Sequence, residues 1–302
     1  MRKFTLFFAA LCCTVMANAW NLQVDGICYN VNWSDETATV TYESKVAADN
    51  YKNLSGRVVI PATVRGDLTN FKVVAIGDSA FRYNKAITTI DLRDAAITTI
   101  GKSAFEYMNV YDIYLSSTLT TLGRDAMLYC TNLTQITLPE NLQTIGVECF
   151  HGCKALTSIR IPDKVETIDF GAFRYCDALT SVVLPSSCPY IGDHCFAHDY
   201  ALSLIFNYAE TPQSIYASAF SGISVPEVIT LRVPYGSGPA YRAAEGWKML
   251  NIEELPDPNE GIEEVSQQPK ANSQKLIKNG QLIIERNGKT YNALGAELKT
   301  EY

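Results

Sequence analysis

The three histidines of the chain, His151, His194 and His198, lie among cysteines in the segments CFHGC at 149–153 and HCFAH at 194–198. Imidazole nitrogens and thiolates are ligands that zinc prefers, and a structural zinc site needs four of them converging on one point. Taken alone, each segment is typical of half a metal site. Whether a site forms depends on the elements that carry the two segments and on where their side chains point.

Both segments belong to a repeat that runs through most of the chain. A small residue followed by Phe, or once by Met, returns every 22 to 24 residues. The aligned positions are Phe81, Phe105, Met127, Phe150, Phe173, Phe196 and Phe220. A second phrase, such as LTSIRIP at 156–162, keeps the same period. Its central residues are Ile90, Ile113, Ile136, Ile159, Val182 and Ile205. A fixed period in the twenties predicts stacked coils, each completing its neighbours' core.

Each repeat contains two short elements. The L-x-x-I-x-L phrase alternates its faces and predicts a short strand. An Ile-Gly pair, as at Ile100-Gly101, predicts a tight turn before the Phe, which we expect to point inward. Departures from the pattern, such as Met127 for Phe and Asp169 for Gly, predict local loops rather than a break in the stack.

The phrases I-G-x-x-[AC]-F-x-x-C and L-T-x-I-x-[LI]-P resemble the BspA-like (Treponema pallidum-type) leucine-rich repeats of bacterial surface proteins. The likeness covers about residues 58–252. It implies a leucine-rich repeat solenoid of α/β type, with short parallel strands and short helical turns in coils of 22–26 residues. It also implies an N-terminal β cap, and a closing coil in which Tyr241 and Trp247 cover the last open core.

The chain is thereby divided into five parts: a signal peptide at 1–19, an N-terminal β cap at 20–57, the solenoid with its closing coil at 58–255, a linker at 256–274 and a small C-terminal hairpin tail at 275–302. The basic start, the apolar run and Ala17-Asn18-Ala19 predict export with cleavage before Trp20. Cys12 and Cys13 suggest a lipoprotein instead, but the residues before them are not the small ones expected there. Two Asn-Gly pairs between apolar runs predict the hairpin tail.

Alignment to the repeat argues against a metal site. Cys149 and Cys195 occupy the small slot before the Phe, where other coils carry Ala. His151 and His194 occupy variable positions, which we expect to face outward. The two segments are two coils apart, about 10 Å at the strand spacing of a sheet. We therefore expect neither a metal nor another cofactor.

Three further cysteines, Cys130, Cys153 and Cys176, recur at 23-residue spacing and should stack on adjacent coils. They form either a ladder of buried thiols or a disulfide between neighbours, and their parallel Cβ directions favour the ladder. Seven cysteines follow residue 19, and an odd number leaves at least one thiol free or bonded to another molecule.

Several classes of function are disfavoured by the sequence. A net charge of −7 without a basic cluster argues against nucleic acid. No apolar stretch after the predicted signal peptide is long enough to span a membrane. No nucleophile elbow, P-loop or dinucleotide-binding motif occurs, and the repeat accounts for nearly every apolar and Gly position. We therefore predict that the protein is not an enzyme.

Outward residues of the strands are the candidates for function, because a solenoid leaves one long sheet face free of core packing. Asp91 and Ser116 are expected on this face as well. The predicted ligand-binding residues are Tyr114, Arg160, Leu204, Phe206, Tyr208 and Arg232. For Leu204, Phe206 and Tyr208 the alternative is that the closing coil folds over them.

The resemblance implies adhesion, because BspA-like proteins are known as adhesins. We expect an exported, non-catalytic module at the cell surface or outside the cell. Its sheet face would contact a protein or glycan of a host or a neighbouring cell. The alternatives are a spacer or scaffold of the cell envelope without a dedicated ligand, and a glycan-acting enzyme with a carboxylate-lined pocket.

Overall fold

The computed structural model describes residues 20–44, 51, 53–187, 190–223 and 225–257, and four strands between 273 and 298. The predicted signal peptide, Cys12, Cys13, Cys188, both Asn-Gly pairs and most of the predicted linker lie outside the described residues. The chain separates into two compact units, the first ending at Pro256 and the second beginning at Asp257.

The first unit is built from short strands with little helix. In chain order its strands are β1 (Leu22–Val24), β2 (Ile27–Asn32), β3 (Thr37–Thr41), β4 (Gly56–Val59), β5 (Thr63–Arg65), β6 (Asn70–Ile76), β7 (Ile87–Asp91), β8 (Thr99–Ile100), β9 (Asp112–Tyr114), β10 (Thr121–Leu122), β11 (Thr144–Ile145), β12 (Ser158–Arg160), β13 (Thr167–Ile168), β14 (Ser181–Leu184), β15 (Tyr190–Ile191), β16 (Leu204–Asn207), β17 (Ser214–Ile215), β18 (Thr230–Val233) and β19 (Asn251–Glu254). Its helices are α1 (Gly238–Ala243) and two 3-10 turns, Ala217–Phe220 and Pro226–Val228.

One sheet runs from β1 to β17, and we call it the continuous sheet. β1, β2 and β3 are antiparallel neighbours, and β3 pairs in parallel with β6. From β6 onward each coil adds one two-residue strand, in the order β8, β10, β11, β13, β15 and β17. Each of these strands pairs in parallel with the one before it, as in Leu122 beside Ile145. Every coil is therefore hydrogen-bonded to its neighbours on this side.

The opposite side of the coils carries a second sheet in two pieces, which we call the divided sheet. One piece has the order β4-β7-β9 and the other β12-β14-β16-β18-β19. The segment LTQITLP at 133–139 lies between them and is not a strand. Its sequence matches the strand phrase, so the predicted strand is wrong here. Strand assignment requires hydrogen bonds to a neighbour, and this segment makes almost none along its length.

Each coil places one aligned Phe or Met side chain in the core between the two sheets. The seven aligned Phe and Met positions are all at most 1% exposed. Successive Phe rings stack with centroids 5.2 to 5.8 Å apart. Tyr51 stacks on Phe81 at 5.0 Å, while Trp247 lies 6.1 Å from Phe220 and 5.8 Å from Tyr241. The inward Phe and the closing role of Tyr241 and Trp247 are thus confirmed.

Two departures from the repeat do not produce the local loops that we expected. Met127 is fully buried, and its N–H donates to Cys149 O at 2.8 Å. Asp169 takes the place of Gly, yet its N–H donates to Ile145 O at 3.0 Å. The backbone path is therefore preserved at both positions, because the bond between coils is made by main-chain atoms that every residue type supplies.

The second unit is a sheet of four antiparallel strands in the order β20-β21-β22-β23. These strands are β20 (Ser273–Lys278), β21 (Gln281–Arg286), β22 (Lys289–Asn292) and β23 (Glu297–Leu298). Lys278 is level with Gln281, and Arg286 is level with Lys289. The two connections are therefore two residues long, a length typical of tight hairpins.

Candidate binding face

Three of the predicted binding residues lie in one row across the divided sheet. Parallel pairing places Arg160 beside Val183, Val183 beside Phe206, and Phe206 beside Arg232. The row continues to Glu253 in β19. Because neighbouring strands are about 4.8 Å apart, side chains from successive coils form one surface. The repeat spacing therefore brings together residues that are distant in the sequence.

The aromatic patch, as we call it, consists of Phe206, Tyr208 and Arg232. The two rings are stacked, with centroids 6.5 Å apart and an interplanar angle of 16°. The Arg232 guanidinium carbon lies 5.6 Å from the Phe206 ring centroid. At this distance the cation is attracted to the ring face. Tyr208 is 49% exposed and Phe206 is half-buried, so the patch presents aromatic surface to solvent. Arg232 Nε donates to Glu253 Oε2 at 3.4 Å in a surface ion pair.

A cleft of about 260 Å³ beside the patch is lined by Arg160, Val183 and Tyr208, among others. Arg160 Nη1 donates to Glu140 Oε1 at 2.8 Å, and Arg160 Nη2 lies 4.0 Å from Asp163 Oδ2. All three side chains are more than half exposed. Surface ion pairs of this kind contribute little to stability, about 1 kcal/mol or less. Arg160 can therefore exchange these partners for a ligand at small cost.

The remaining two predicted residues differ in their placement. Leu204 is half-buried in β16, two positions before Phe206 and on the same face of the strand. Tyr114 is 39% exposed at the end of β9, where the Arg93 guanidinium carbon lies 4.4 Å from its ring centroid. β9 belongs to the other piece of the divided sheet. The structure thus groups five of the six predicted residues and leaves Tyr114 apart.

The closing coil packs on the core rather than over the aromatic patch. Tyr241 and Trp247 are fully buried. Tyr241 Oη donates to Ala209 O and Trp247 Nε1 donates to Gln213 O, both at 2.9 Å. These bonds hold the two rings against the end of the stack, and Tyr208 stays accessible. The closing coil therefore does not cover the aromatic patch, which was the alternative to an exposed patch.

Two residues expected on the outward face are buried instead. Asp91 is 5% exposed because Arg57 and Arg93 close over it. Arg93 donates to both Asp91 oxygens, at 2.9 and 2.7 Å, and these bonds, with that of Arg57, hold the pKa of Asp91 well below its usual range. Ser116 is 1% exposed, and its hydroxyl donates to Ala95 O at 2.6 Å. The expectation of outward exposure is wrong for both.

His151 is also buried, at 8% exposure, against our expectation that it faces outward. Its ring lies between Tyr129 and Tyr175, with centroids 5.2 and 5.4 Å away. The neighbouring Gly152 occupies the left-handed position that Tyr fills in other coils. A Cβ on Gly152 would lie 2.5 Å from the Tyr129 ring, so the missing side chain leaves the space that His151 fills. Burial lowers the pKa of His151.

His151 is thereby one member of a second stack of rings, which runs along the turns. The stack consists of Tyr83, Tyr107, Tyr129, His151, Tyr175 and His198, with successive centroids 4.4 to 5.4 Å apart. The sequence alone did not lead us to predict this stack. A signal was present, since most of the aligned Phe and Met residues are followed two positions later by Tyr or His. His151 and His198 are thus placed for ring packing in this stack, whereas His194 lies outside it, with its ring centroid 5.5 Å from that of Phe170. Within the described part of the chain, no group of three or more His, Cys, Asp or Glu could hold a metal ion.

The stacked cysteines form the ladder that we favoured over a disulfide. Cys130, Cys153 and Cys176 are free and fully buried. Each thiol donates to a carbonyl of the preceding coil, at distances of 3.1 to 3.3 Å. Burial raises the pKa of Cys130 to about 12. A thiol with so high a pKa is a poor nucleophile, so these groups serve packing.

The same slot carries Asp199 in the next coil, where it is fully buried. Asp199 Oδ1 accepts a hydrogen bond from Cys176 N–H at 2.8 Å. Its other oxygen, Oδ2, has no hydrogen-bond partner among the described residues. Burial raises the pKa of Asp199 well above its usual range. The carboxyl is therefore held in its neutral form over a wider pH range than in an unfolded chain.

Comparisons with known proteins agree with this architecture. The sequence model of the family described as the BspA type leucine-rich repeat region matches residues 67–177 and 125–232. The match contains six copies of the repeat. A leucine-rich repeat protein from Bacteroides ovatus is similar with 23% identity and a TM-score of 0.56, over 78% of this chain and 67% of that one. The Treponema pallidum leucine-rich repeat protein is similar with 23% identity and a TM-score of 0.51, over 62% of this chain and 86% of that one.

A search of curated proteins finds no match. None of the described helices is long and apolar enough to cross a membrane. Proteins built from such repeats serve as binding or scaffold modules, because stacking creates an extended surface. The matched residues span more than half of the sequence, and the solved relatives share its solenoid fold. The chain belongs to the BspA type leucine-rich repeat family.

Proposed function

We propose that this chain is an exported, non-catalytic binding module that contacts a protein or glycan through the divided sheet. The binding centre is the aromatic patch of Phe206, Tyr208 and Arg232, with Arg160 and Leu204 at its edge. The partner belongs to a host or a neighbouring cell, and the protein acts at the cell surface as an adhesin. The repeat family supports a binding or scaffold role, and the patch favours binding.

The observation that carries the proposal is the exposed stack of Tyr208 on Phe206 with the Arg232 guanidinium beside it. Aromatic residues and Arg dominate interface energetics, because they bury large areas and keep directional polar groups. These side chains have no task in the core, where Ile205 and Leu231 from the same strands are fully buried. A scaffold without a ligand gives no reason for an ordered aromatic and cationic cluster at this position.

The test is a binding screen of residues 20–302 against a glycan array and a panel of matrix proteins. A hit should weaken by at least about 2 kcal/mol, about 30-fold in Kd, in the double variant Phe206→Ser/Tyr208→Ser. The matched control is Tyr216→Ser, which removes an aromatic ring that is 55% exposed beside the continuous sheet. Binding should be unchanged in this control.

Stability measurements on the same variants separate binding from folding. The double variant should unfold near the wild-type temperature, because both rings are partly or largely exposed. A large loss of thermal stability would assign the rings to the core and remove the proposed patch. Absence of any ligand in the screen would favour the spacer or scaffold role.

Export rests on the first 19 residues, whose sequence pattern is that of a signal peptide. N-terminal sequencing of the exported protein should begin at Trp20. A lipid-modified Cys12 or Cys13 in the mature protein would instead establish a lipid anchor. Either result is read directly by mass spectrometry of the N-terminal peptide.

A further inference from the structure

The break in the divided sheet opens a groove between two coils, which we name the Ile113 coil and the Ile136 coil after the central residues of their strand phrases. The same hydrogen bond recurs elsewhere in the divided sheet. Ile60 N–H donates to Asp91 O at 2.9 Å, Leu92 N–H to Tyr114 O at 2.8 Å, and Ile161 N–H to Val183 O at 2.9 Å. The register predicts the equivalent bond from Leu115 N–H to Thr137 O.

That bond is not made. Among the described residues, Leu115 N–H has no backbone acceptor, and neither the N–H nor the C=O of Thr137 has a backbone partner. The strand β9 uses its other edge for β7, as in Leu92 N–H to Tyr114 O. Because backbone groups alternate sides along a strand, Ile113 N–H and C=O face the groove. Both walls of the groove therefore carry main-chain donors and acceptors without a backbone partner in the described part of the chain.

The groove is a wedge rather than a gap through the stack. On the opposite side the same two coils pair at Thr121 with Thr144 and at Leu122 with Ile145. The turn that leads into β9 is one residue shorter than its counterpart, since eight positions separate Phe105 from Ile113 and nine separate Met127 from Ile136. The opening therefore coincides with a difference in turn length between the two coils.

Size and lining suit a short extended segment. The groove has a volume of about 470 Å³ and is lined by Arg93, Asp112, Ile113, Tyr114, Leu115, Ser117, Gln135, Ile136, Thr137 and Pro139. Ligand pockets have volumes of about 300–1,000 Å³. Ile113 and Ile136, at 4% and 9% exposure, form an apolar floor, while the rim is polar or aromatic.

Charge distinguishes the two ends of the groove. Asp112 is the first residue of β9, and Arg93 lies two residues beyond Asp91, which is level with Tyr114. The Arg93 guanidinium binds Asp91 and lies 4.4 Å from the Tyr114 ring centroid, so its charge is level with Tyr114, two residues of strand or ~7 Å from Asp112. Arg57 and Arg93 share the one Asp91 carboxylate, which leaves a net positive charge at this end. A peptide that runs parallel to the strands would place a basic side chain near Asp112 and an acidic one near Arg93.

We propose that this groove binds an extended peptide segment of a partner protein, which adds as a parallel strand between the Ile113 and Ile136 coils. Main-chain hydrogen bonds to both walls would supply affinity, and the two charged ends with Tyr114 would supply specificity. This site is separate from the aromatic patch, so it does not depend on the proposed function. Tyr114, which was predicted to bind a ligand but lies outside the aromatic patch, would bind the peptide in this groove.

The test is selection of binders from a random dodecapeptide library on immobilised residues 20–302, followed by titration of the enriched peptides. Thr137→Pro removes the unpaired N–H, whereas Thr137→Ala keeps it. Peptide affinity should fall at least tenfold in Thr137→Pro and stay within twofold in Thr137→Ala. It should also be unchanged in Phe206→Ser/Tyr208→Ser, which distinguishes this site from the patch.

Hydrogen exchange on the wild-type protein provides a second readout that needs no substitution. The selected peptide should slow exchange at the amides of Ile113, Leu115 and Thr137 and leave Gly123 and Gly146 unchanged. Failure to enrich any peptide, equal affinity for the Thr137→Pro and Thr137→Ala variants, or protection confined to other strands would each overturn the proposal.

Discussion

The continuous sheet and the divided sheet are formed by the same coils, yet only one of them is unbroken. In the continuous sheet each strand from β8 to β17 has two residues, and every coil from β6 to β17 is paired in one register. In the divided sheet the strands are longer, but pairing stops on both sides of segment 133–139. Strand length therefore does not decide which side of a coil is held together.

Four turn glycines allow close approach of the coils in the continuous sheet, and Asp169 keeps the same register in the place of a fifth. An added Cβ on Gly101, Gly123, Gly146 or Gly192 would lie 2.4 to 2.9 Å from atoms of the preceding coil. Their backbones thus approach more closely than a side chain allows. The divided sheet lacks such a row of glycines, and its coils can separate. One side of the molecule fixes the stack, and the other side is left to vary, which makes it the more suitable place for binding.

The largest expected effect tests the core that both sheets share. Phe150→Ala should lower the free energy of unfolding by about 3–5 kcal/mol, because it removes a fully buried ring from the stack. His151→Ala is the matched control, since its ring stacks only at the turns and should cost about 1 kcal/mol. Urea denaturation of both variants measures the difference. Equal midpoints would refute the proposed division between core and turns.

A smaller effect is expected where the continuous sheet is tightest. Gly146→Ala should cost about 1–3 kcal/mol, because its Cβ would meet Gly123 C at 2.8 Å. The counterpart in the divided sheet is Thr137→Ala, which should cost less than about 0.5 kcal/mol at an exposed position. Thermal unfolding of both variants provides the measurement. A larger loss for Thr137→Ala would reverse our assignment of the two sheets.

A gain of stability is expected at Asp199, which occupies the position of the stacked cysteines in its own coil. Asp199→Asn should raise the free energy of unfolding at pH 7, because the neutral amide avoids the cost of a buried carboxylate. The pKa of Asp199 is raised by burial, so the unfolded chain loses this proton at lower pH than the folded one. The wild type is thereby penalised as pH rises above about 4, the ordinary pKa of Asp.

The variant should remove that dependence while keeping an oxygen that accepts from Cys176 N–H. Denaturation of both proteins between pH 4 and 8 shows it as a difference that grows with pH. A constant difference, or a less stable variant throughout, would mean that Asp199 is ionised in the fold or that the amide cannot be accommodated. The Asp91 carboxyl, whose pKa is lowered, contributes the opposite slope in both proteins and cancels in the comparison.

The smallest expected effect concerns local opening of the wild-type structure and involves no change in its free energy of unfolding. The amides of Leu115 and Thr137 should exchange roughly 100-fold faster than those of Gly123 and Gly146. The two glycine N–H groups donate to carbonyls of the preceding coil at 2.8 and 3.0 Å, whereas the N–H groups of Leu115 and Thr137 have no backbone acceptor among the described residues. Native-state hydrogen exchange with mass spectrometry provides the rates. Similar rates at all four amides would mean that the groove is closed in solution.

Much of this architecture could be read from the sequence. The period identified the coils, the buried Phe column and the rings of Tyr241 and Trp247 at its end, because each coil must bury the same slot. The row of Arg160, Phe206 and Arg232 followed from the same spacing. Asp91 and Ser116 could not be placed correctly, since their burial depends on Arg57 and Ala95, which come from other coils.

The sequence by itself determined which residues are equivalent, because a repeat length fixes the position of every side chain within its coil. The tertiary structure alone decided how neighbouring coils meet. Segment 133–139 has the strand phrase, but a strand also needs a partner at about 4.8 Å, and the segment pairs with neither β9 nor β12. His151 has a variable position in the repeat, but the space beside Gly152 draws its ring into the stack. Contacts between coils depend on the residues of two coils at once, and a period describes only one.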